Sequence, residues 1–171
     1  MSSDGRYYGK YRGVVLNNLD PERIGRVQVQ VPDVLGAGLS SWAMPCFPFA
    51  GQQLGFYAVP QIGSGVWVEF EQGNPDYPIW SGCWFGSAAE IPALVQPGMP
   101  PLSSVVLQTQ LQTALLISDL PGPTGGILLK HVTGAFISIS EAGITISNGQ
   151  GAMITMVGPA VTINNGALSV V

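Results

Sequence analysis

Charged side chains are what this 171-residue sequence has least of. Lys and Arg number six and Asp and Glu ten, so charged residues make up 9% of the chain, against the usual quarter. A disordered chain would carry more charge and fewer β-branched residues. A net charge of -4 also argues against binding to nucleic acid. The composition therefore indicates a β-rich, heavily buried and oligomeric protein.

The distribution of the few charges is uneven. Five of the six basic residues precede residue 27: Arg6, Lys10, Arg12, Arg23 and Arg26. Since the chain is acidic overall, this patch predicts contact with an acidic protein or with solvent rather than with phosphate. From Ile91 onward the only charged residues are Asp119, Lys130 and Glu141. A surface so poor in charge would enter a membranous boundary at little cost in ion desolvation.

Cysteine is also scarce. Two cysteines, Cys46 and Cys83, do not make a disulfide framework. Because both lie in apolar stretches, we expect small buried side chains, with a bridge between them as the less favoured alternative.

The groups that hydrolytic enzymes use are missing or isolated. His131 is the single histidine, and we expect it to be solvated or to cap a strand. Glu69 and Glu71 share one strand face, which favours solvent exposure over glycoside hydrolysis. Metal ligation needs clustered His, Cys or carboxylates, which the sequence lacks. We therefore predict no catalytic residue, no metal and no cofactor, and the chain is not expected to be an enzyme.

Long hydrophobic runs are absent as well. The N-terminus has no apolar signal core, and no run approaches the eighteen or so apolar residues of a spanning helix. We expect synthesis in the cytoplasm without a signal peptide.

What the sequence does contain is a C-terminal repeat over residues 134–171. An apolar residue, a Ser or Thr and a second apolar residue are followed by a turn, which predicts short strands with one apolar face. The pattern recurs after seventeen residues, as is typical of a β-solenoid or β-prism. The predicted apolar residues are Ile137, Ile139, Ile144, Ile146, Ile154, Met156, Val161, Ile163, Leu168 and Val170.

A lone ribbon of such strands is marginal in water because nothing covers its apolar face. Three copies around one axis would turn that face inward and the hydroxyl residues outward, so we predict an intertwined homotrimer with these ten residues as its core. The alternatives are a monomeric solenoid or packing against the N-terminal domain.

The N-terminal half predicts a small barrel. Strands are expected over 7–16, 25–31, 42–44, 66–70 and 79–85, with no helical periodicity between them. Short strands with Gly kinks suit a Greek-key barrel of the OB type. Residues 91–103 contain four prolines and predict an extended linker. Residues 105–109 and 114–118 predict strands, with one helix over 104–118 as the competing interpretation.

Two segments carry a family resemblance. Residues 18–32, Asn-Leu-Asp-Pro-Glu-Arg-Ile-Gly-Arg-Val-Gln-Val-Gln-Val-Pro, and residues 60–86, which include Gly-Ser-Gly-Val-Trp-Val-Glu-Phe, resemble the baseplate spike family of contractile injection systems. That family includes the phage baseplate assembly protein V group and the VgrG spikes of type VI secretion. The residues that carry the resemblance are Asp20, Pro21, Gly25, Arg26, Val27, Pro32, Gly65, Val66, Trp67, Val68, Phe70, Pro78, Trp80 and Gly82.

The resemblance implies an all-β fold: an N-terminal tail (1–6), an OB-fold Greek-key barrel (7–90), a linker (91–103) and an intertwined trimeric β-helix or β-prism spike (104–171). It also implies a structural central spike that docks on a baseplate hub protein and punctures the target envelope. Some members hold iron at the tip through a His-x-His repeat that this sequence lacks. We therefore expect a PAAR-like tip protein to cap Gly166, Ala167, Leu168, Ser169, Val170 and Val171.

A different class of function is kept as the alternative. An OB fold with an oligomerisation stalk can bind oligosaccharide or single-stranded nucleic acid by stacking on aromatic side chains. The candidates are Tyr7, Tyr8, Tyr11, Trp42 and Trp67.

Overall fold

The regular secondary structure of the protein is mostly β-strand. The structure, a computed structural model, describes residues 5–95 and 103–170. Residues 1–4 of the expected tail, 96–102 of the expected linker and Val171 lie outside the described residues. The chain divides into two compact units, Met1–Glu90 and Ile91–Val171, and each is considered by itself.

The N-terminal unit is built on one curved sheet. Its elements are β1 (Tyr11–Asn17), β2 (Gln28–Gln30), α1 (Pro32–Leu35), β3 (Met44–Pro45), β4 (Ala50–Gly51), β5 (Leu54–Gly55), β6 (Gly65–Phe70) and β7 (Pro78–Trp84). The sheet order is β2-β1-β6-β7-β3, antiparallel except between β3 and β7, while β4 and β5 form a separate hairpin. Two short 3-10 turns, Glu71–Gly73 and Ala88–Glu90, follow β6 and β7. This half-barrel agrees with the predicted OB architecture.

The predicted strands are present with shifted ends. The first begins at Tyr11 rather than at residue 7, and the alternating run before Pro32 keeps ladder pairing only over β2. That run still places Val27, Val29 and Val31 completely inside, as alternation required. The helix α1 was not predicted; a single turn of four residues has no periodicity to detect.

The core of this unit is a layer of valines closed by aromatic rings. Val15, Val27, Val29, Val66 and Val68 have no exposed surface. Trp80 lies beside them, and its indole Nε1 donates a hydrogen bond of 3.0 Å to the Gly25 carbonyl oxygen. A side chain at Gly65 would collide with the Trp84 ring, so this strand start admits only glycine.

The C-terminal unit is a single antiparallel sheet. Its strands are β8 (Ser104–Gln108), β9 (Ala114–Ser118), β10 (Gly126–Lys130), β11 (Phe136–Ser140), β12 (Gly143–Ser147), β13 (Met153–Val157), β14 (Ala160–Ile163) and β15 (Leu168–Val170). A 3-10 turn, Asn164–Gly166, precedes β15. Each strand pairs with the next along the chain, so the order runs from β8 to β15 without a crossover. Strands, not a helix, occupy 104–118, as predicted.

The antiparallel order explains the seventeen-residue repeat. One repeat is one hairpin, because Ile137 in β11 and Ile154 in β13 occupy the same place in successive hairpins. The ladder hydrogen bonds of β9 to β14 run between neighbours in one chain, so each of these strands has a partner on both sides. The all-β prediction itself is confirmed.

Among the described residues, no helix is long and apolar enough to cross a bilayer.

Glycines at two strand starts make the tight sheet possible. Gly126 and Gly143 have φ of 83° and 125°, which side-chain-bearing residues rarely adopt. A Cβ would also strike the Ile139 carbonyl oxygen at Gly126 and the Met156 carbonyl oxygen at Gly143.

Candidate functional site

One face of the C-terminal sheet is apolar over its full length. The cross-strand register places apolar residue opposite apolar residue in every pair from β8 to β15, and each strand contributes two. We call this set the apolar face: Val105, Leu107, Leu115, Ile117, Ile127, Leu129, Ile137, Ile139, Ile144, Ile146, Ile154, Met156, Val161, Ile163, Leu168 and Val170.

All ten residues predicted as the trimer core lie on the apolar face. Sequence reasoning missed the six contributed by β8, β9 and β10. Their alternation was hidden because Val106, Leu116 and Leu128, which stand between them, are apolar too. The signal that could have found them is the same spacing of two, read in register with the later strands.

The apolar face is open in a single chain. Ile146, at its middle, is 40% exposed, and Val105 and Val170, at its two ends, are 59% and 60% exposed. Monomeric proteins rarely leave a contiguous apolar surface of this extent in water, so it marks an interface.

The opposite face is lined by small hydroxyl side chains over the later strands. Ser138, Thr145, Thr155 and Thr162 stand directly opposite one another across β11 to β14. The Thr155 and Thr162 hydroxyls are hydrogen-bonded to each other. Hydroxyls hydrate readily without charge, so this face is suited to contact with water.

The first strands differ because their second face is apolar as well. Leu116 is almost completely buried there, and Ala93 and Leu94 approach the same face. Together with Leu128 and Phe136 they line a cavity of about 390 Å³. Among residues 103–170 and the described part of the preceding segment, this side of the sheet is therefore covered at its first strands.

The last strand is an edge. Within the described residues β15 pairs only with β14, so its outer backbone groups are available to another molecule. Gly166 and Ala167 lead into it, and Leu168 and Val170 are exposed. The Ser169 backbone pairs with Thr162, while Val171 lies outside the described residues.

In the N-terminal unit, Asp20 organises the loop between β1 and β2. Its carboxylate accepts hydrogen bonds from the backbone N–H groups of Glu22, Ile24 and Arg26 at 3.1, 2.9 and 3.2 Å. The Arg26 guanidinium donates to the same carboxylate from Nε and Nη2 at 3.0 and 2.7 Å. Its Nη1 contacts Glu22 at 3.0 Å, and the guanidinium lies over the Trp42 ring. The loop is thus held by the Asp20 carboxylate, through three backbone hydrogen bonds and its ion pair with Arg26.

This arrangement holds the pKa of Asp20 far below its usual range, chiefly through the hydrogen bonds from Arg26, and raises the pKa of Arg26. A carboxyl whose pKa is lower in the folded than in the unfolded state stabilises the fold above its unfolded pKa, about 3.9. That contribution is lost as the pH falls below about 4.

We therefore predict that the melting temperature of the N-terminal unit falls as the pH drops from 5 to 2, and that Asp20→Asn removes much of this dependence while lowering stability at pH 7. Thermal unfolding followed across this pH range measures both effects. Glu22→Gln is the matched control, because Glu22 pairs with the same guanidinium from an exposed position. Equal pH profiles for Asp20→Asn and the unaltered protein would contradict the assignment.

The residues that carry the family resemblance occupy defined places in the half-barrel. Pro21 lies in the Asp20 loop, and Pro32 begins α1. Gly82, at φ 134°, lies in a bulge where Ser81 and Gly82 face Trp67 alone. The remaining members are the Asp20–Arg26 pair, the closely approached Gly25 and Gly65, and the buried Val27, Val66, Val68, Phe70, Pro78 and Trp80.

The aromatic residues considered for stacking lie in separate environments. Tyr7 and Tyr11 pack on Phe70 at the core side, with ring centroids 6.2 and 5.7 Å away. Trp67 lies on the other side of β6, beside Trp84 and Arg12, and Trp42 lies against Arg26. Tyr8 is exposed. The structure therefore gives no support to a binding platform made of these five residues.

One minor prediction, the burial of the two cysteines, is wrong. Cys46 and Cys83 are free and exposed, so the prediction of buried side chains is wrong: Cys46 follows a two-residue edge strand and Cys83 lies near the end of β7. Partial burial nevertheless raises the pKa of Cys83. Within the basic patch, Lys10 pairs with Glu69 at 3.2 Å and Arg26 pairs with Asp20, while the Arg12 guanidinium lies over the rings of Trp67 and Trp84.

The isolated polar residues take structural roles. The Nδ1 atom of His131 is 2.8 Å from the Thr133 hydroxyl in the turn after β10. Glu69 pairs with Lys10, and Glu71 begins a 3-10 turn. Over 5–95 and 103–170, no group of three His, Cys, Asp or Glu residues is placed to hold a metal ion.

Comparison with known families matches both units. Residues 11–85 match the family described as type VI secretion system/phage-baseplate injector OB domain. Residues 104–169 match the phage baseplate V C-terminal trimerisation domain. The two matches follow the two compact units of the structure.

Curated relatives align with fewer than half of the residues of this chain. Type VI secretion system spike proteins VgrG4b and VgrG5 of Pseudomonas aeruginosa are 37% and 35% identical over 75 residues, 42% of this chain. The actin cross-linking toxin VgrG1 of Vibrio cholerae is 44% identical over 62 residues, 34% of this chain. These alignments cover 9%, 10% and 6% of the relatives' own lengths.

Proposed function

Because the chain belongs to the phage baseplate V and VgrG-like family, with an OB domain followed by a C-terminal trimerisation domain, we propose that it is the central spike of a contractile tail or injection machine. The family is structural rather than enzymatic, as the sequence predicted. The chain trimerises and is a spike-like component of the baseplate or injector. Its docking, its puncturing action and its synthesis in the cytoplasm are the proposed part.

The apolar face is the observation that carries this proposal. Three sheets around one axis would bury it completely and leave the hydroxyl face outward. The ten predicted core residues, with the six from β8 to β10, then form one continuous core. Such a core binds because it removes apolar surface from water, about 25 cal/mol for each Å².

The dimensions of the sheet suit a puncturing element. Eight strands at the usual spacing of about 4.8 Å make a sheet about 34 Å long, comparable with the hydrocarbon core of a bilayer at about 30 Å. Within each chain the ladder hydrogen bonds run along the length of the sheet, and the buried core would join three such sheets. An axial force on the spike would then be resisted by many contacts at once.

The N-terminal unit is the proposed attachment to the baseplate. Its half-barrel docks on the hub protein, while the C-terminal sheets make transient contact with the target cell envelope. The membership of residues 11–85 in an injector OB family supports this assignment.

A tip protein of the PAAR-like kind is proposed at the other end. The unpaired edge of β15 and the exposed Leu168 and Val170 offer backbone and apolar contacts to a cap. The proposed contact surface is Gly166, Ala167, Leu168, Ser169, Val170 and Val171.

A cryo-EM map of the assembled particle tests both ends. We expect threefold density for this chain on the tail axis, with the half-barrels against the hub and a separate small density beyond Val171. Absence of density beyond Val171 would refute the cap, and half-barrels that do not touch the hub would refute the docking.

A further inference from the structure

Asn165 differs from every other asparagine of the chain in the freedom of its side chain. It lies in the 3-10 turn between β14 and β15 and is exposed. Over 5–95 and 103–170, no hydrogen bond involves its carboxamide, whereas the side chains of the other asparagines are all hydrogen-bonded. Those residues are Asn17, Asn18, Asn74, Asn148 and Asn164. The Asn165 carboxamide is therefore free to move and to react.

The residue after Asn165 is Gly166, and such a pair can react without an enzyme. The Gly166 backbone nitrogen, after losing its proton to a base in the solvent, attacks the side-chain carbonyl carbon, Cγ, of Asn165. A C–N bond forms, the bond from Cγ to Nδ2 breaks and ammonia leaves, which closes a succinimide ring. Water then opens the ring at Cγ to give aspartate, or at the backbone carbonyl carbon to give isoaspartate. Glycine favours the attack because it has no Cβ to hinder its nitrogen.

The backbone of this turn offers little resistance to the reaction. A Cβ at Gly166 would meet no atom within 4 Å, so the attacking nitrogen is not enclosed. Asn164 and Asn165 have φ of 49° and 56°, a region that residues other than glycine seldom occupy. Ring closure turns the backbone of Asn165 out of this region, which relieves the cost of the left-handed conformation instead of adding to it.

The other Asn-Gly pair of the chain, Asn148-Gly149, is held in place. The Asn148 Oδ1 atom accepts hydrogen bonds from the N–H groups of Gln150 and Ala152 at 2.8 and 3.1 Å. The Gly149 N–H donates to the Ser147 hydroxyl at 3.1 Å. A Cβ at this glycine would lie 2.6 Å from the backbone of a neighbouring turn. Because these contacts must open before a ring can close, the same dipeptide should react more slowly here.

We propose that Asn165 is a site of spontaneous deamidation in the folded protein, and that its hydrogen bonds protect Asn148. The product carries a carboxylate in a stretch, Ala142 to Val170, that has no other ionisable side chain. Isoaspartate also adds an atom to the backbone of the turn, which disturbs the pairing of Ile163 with Leu168 and loosens β15. The reaction needs neither the trimer nor the tip protein of the proposed function.

Mass spectrometry of the full-length protein, stored at neutral and at mildly alkaline pH, tests the site. Fragment spectra should show a gain of about one dalton at Asn165 that increases with time. We expect this gain to appear at least about tenfold faster than at Asn148, where two hydrogen bonds must open first. The rate should rise with pH because the attacking nitrogen must lose a proton. Labelling by an isoaspartyl methyltransferase identifies the isoaspartate product.

Two controls separate the effect of the fold from that of the dipeptide. Asn165→Gln keeps a carboxamide but would have to close a larger ring, so the gain at this position should vanish while that at Asn148 is unchanged. In guanidinium chloride that unfolds the protein, the two pairs should react at similar rates, since glycine follows both asparagines. Equal rates in the folded protein, or reaction at Asn165 only after unfolding, would overturn the inference. Either result would leave the proposed function standing.

Discussion

Ile146→Asp should leave the protein as single chains. Ile146 lies at the middle of the apolar face, opposite Ile137 and Ile154. In the trimer the substitution would bury three carboxylates without partners, each at a cost on the order of 3–5 kcal/mol. Sedimentation or native mass spectrometry should therefore show the mass of one chain where the unaltered protein shows three.

Thr145→Asp provides the matched control. Thr145 is the neighbouring residue in β12, and its side chain lies on the hydroxyl face. The same carboxylate would there remain in water, so the trimer should persist. An intact trimer for Ile146→Asp, or equal loss in both variants, would refute the assignment of the apolar face as the interface.

Trp80→Ala should strongly destabilise the N-terminal unit without dissociating the C-terminal sheets. Trp80 is 5% exposed, packs against Phe47 and donates a hydrogen bond to Gly25. Removal of a buried tryptophan costs about 3–5 kcal/mol, a large part of the stability of a small domain. Calorimetry should show the transition of this unit lowered by more than about 12 °C.

Two further variants separate the causes of the stability loss in Trp80→Ala. Tyr77→Ala, in an exposed position, should change stability by less than about 0.5 kcal/mol. Trp80→Phe keeps an aromatic ring, removes the donor to Gly25 and leaves a smaller cavity than alanine does. It should therefore cost less than Trp80→Ala but at least about 1–3 kcal/mol, the cost of an unpaired carbonyl oxygen. Loss of the trimer in Trp80→Ala would show that the two units do not unfold separately.

The sequence predicted the faces of strands better than their partners. Alternation assigned Val27, Val29 and Val31 to the interior and Ile144 and Ile146 to one face, because the side-chain period of a strand follows from backbone geometry alone. Which strands become neighbours in a sheet, in contrast, is decided by the tertiary structure. The antiparallel order within one chain depends on turns such as the one at Gly143, which the sequence places without revealing the direction of the next strand.

The features that the sequence did not predict also have physical explanations. The first strands of the C-terminal sheet have apolar residues on both faces, so Val105 and Ile117 could not be separated from Val106 and Leu116 by alternation. The exposure of Cys83 depends on its place near the end of β7, just after the bulge at Gly82, a local irregularity that composition does not reveal. The role of Asp20 depends on three backbone donors brought to one carboxylate by the loop itself.

The hydroxyl face and the apolar face have a joint consequence for the last four strands of the C-terminal sheet. No side chain from Ala142 to Val170 can gain or lose a proton. The free energy that holds β12 to β15 of three chains together therefore has no linkage to protons through these residues, and mobile ions have no charges there to screen. The packing of these four strands should therefore persist in acid, in alkali and in concentrated salt, so that any acid limit of the protein would arise in parts of the chain that carry titratable side chains.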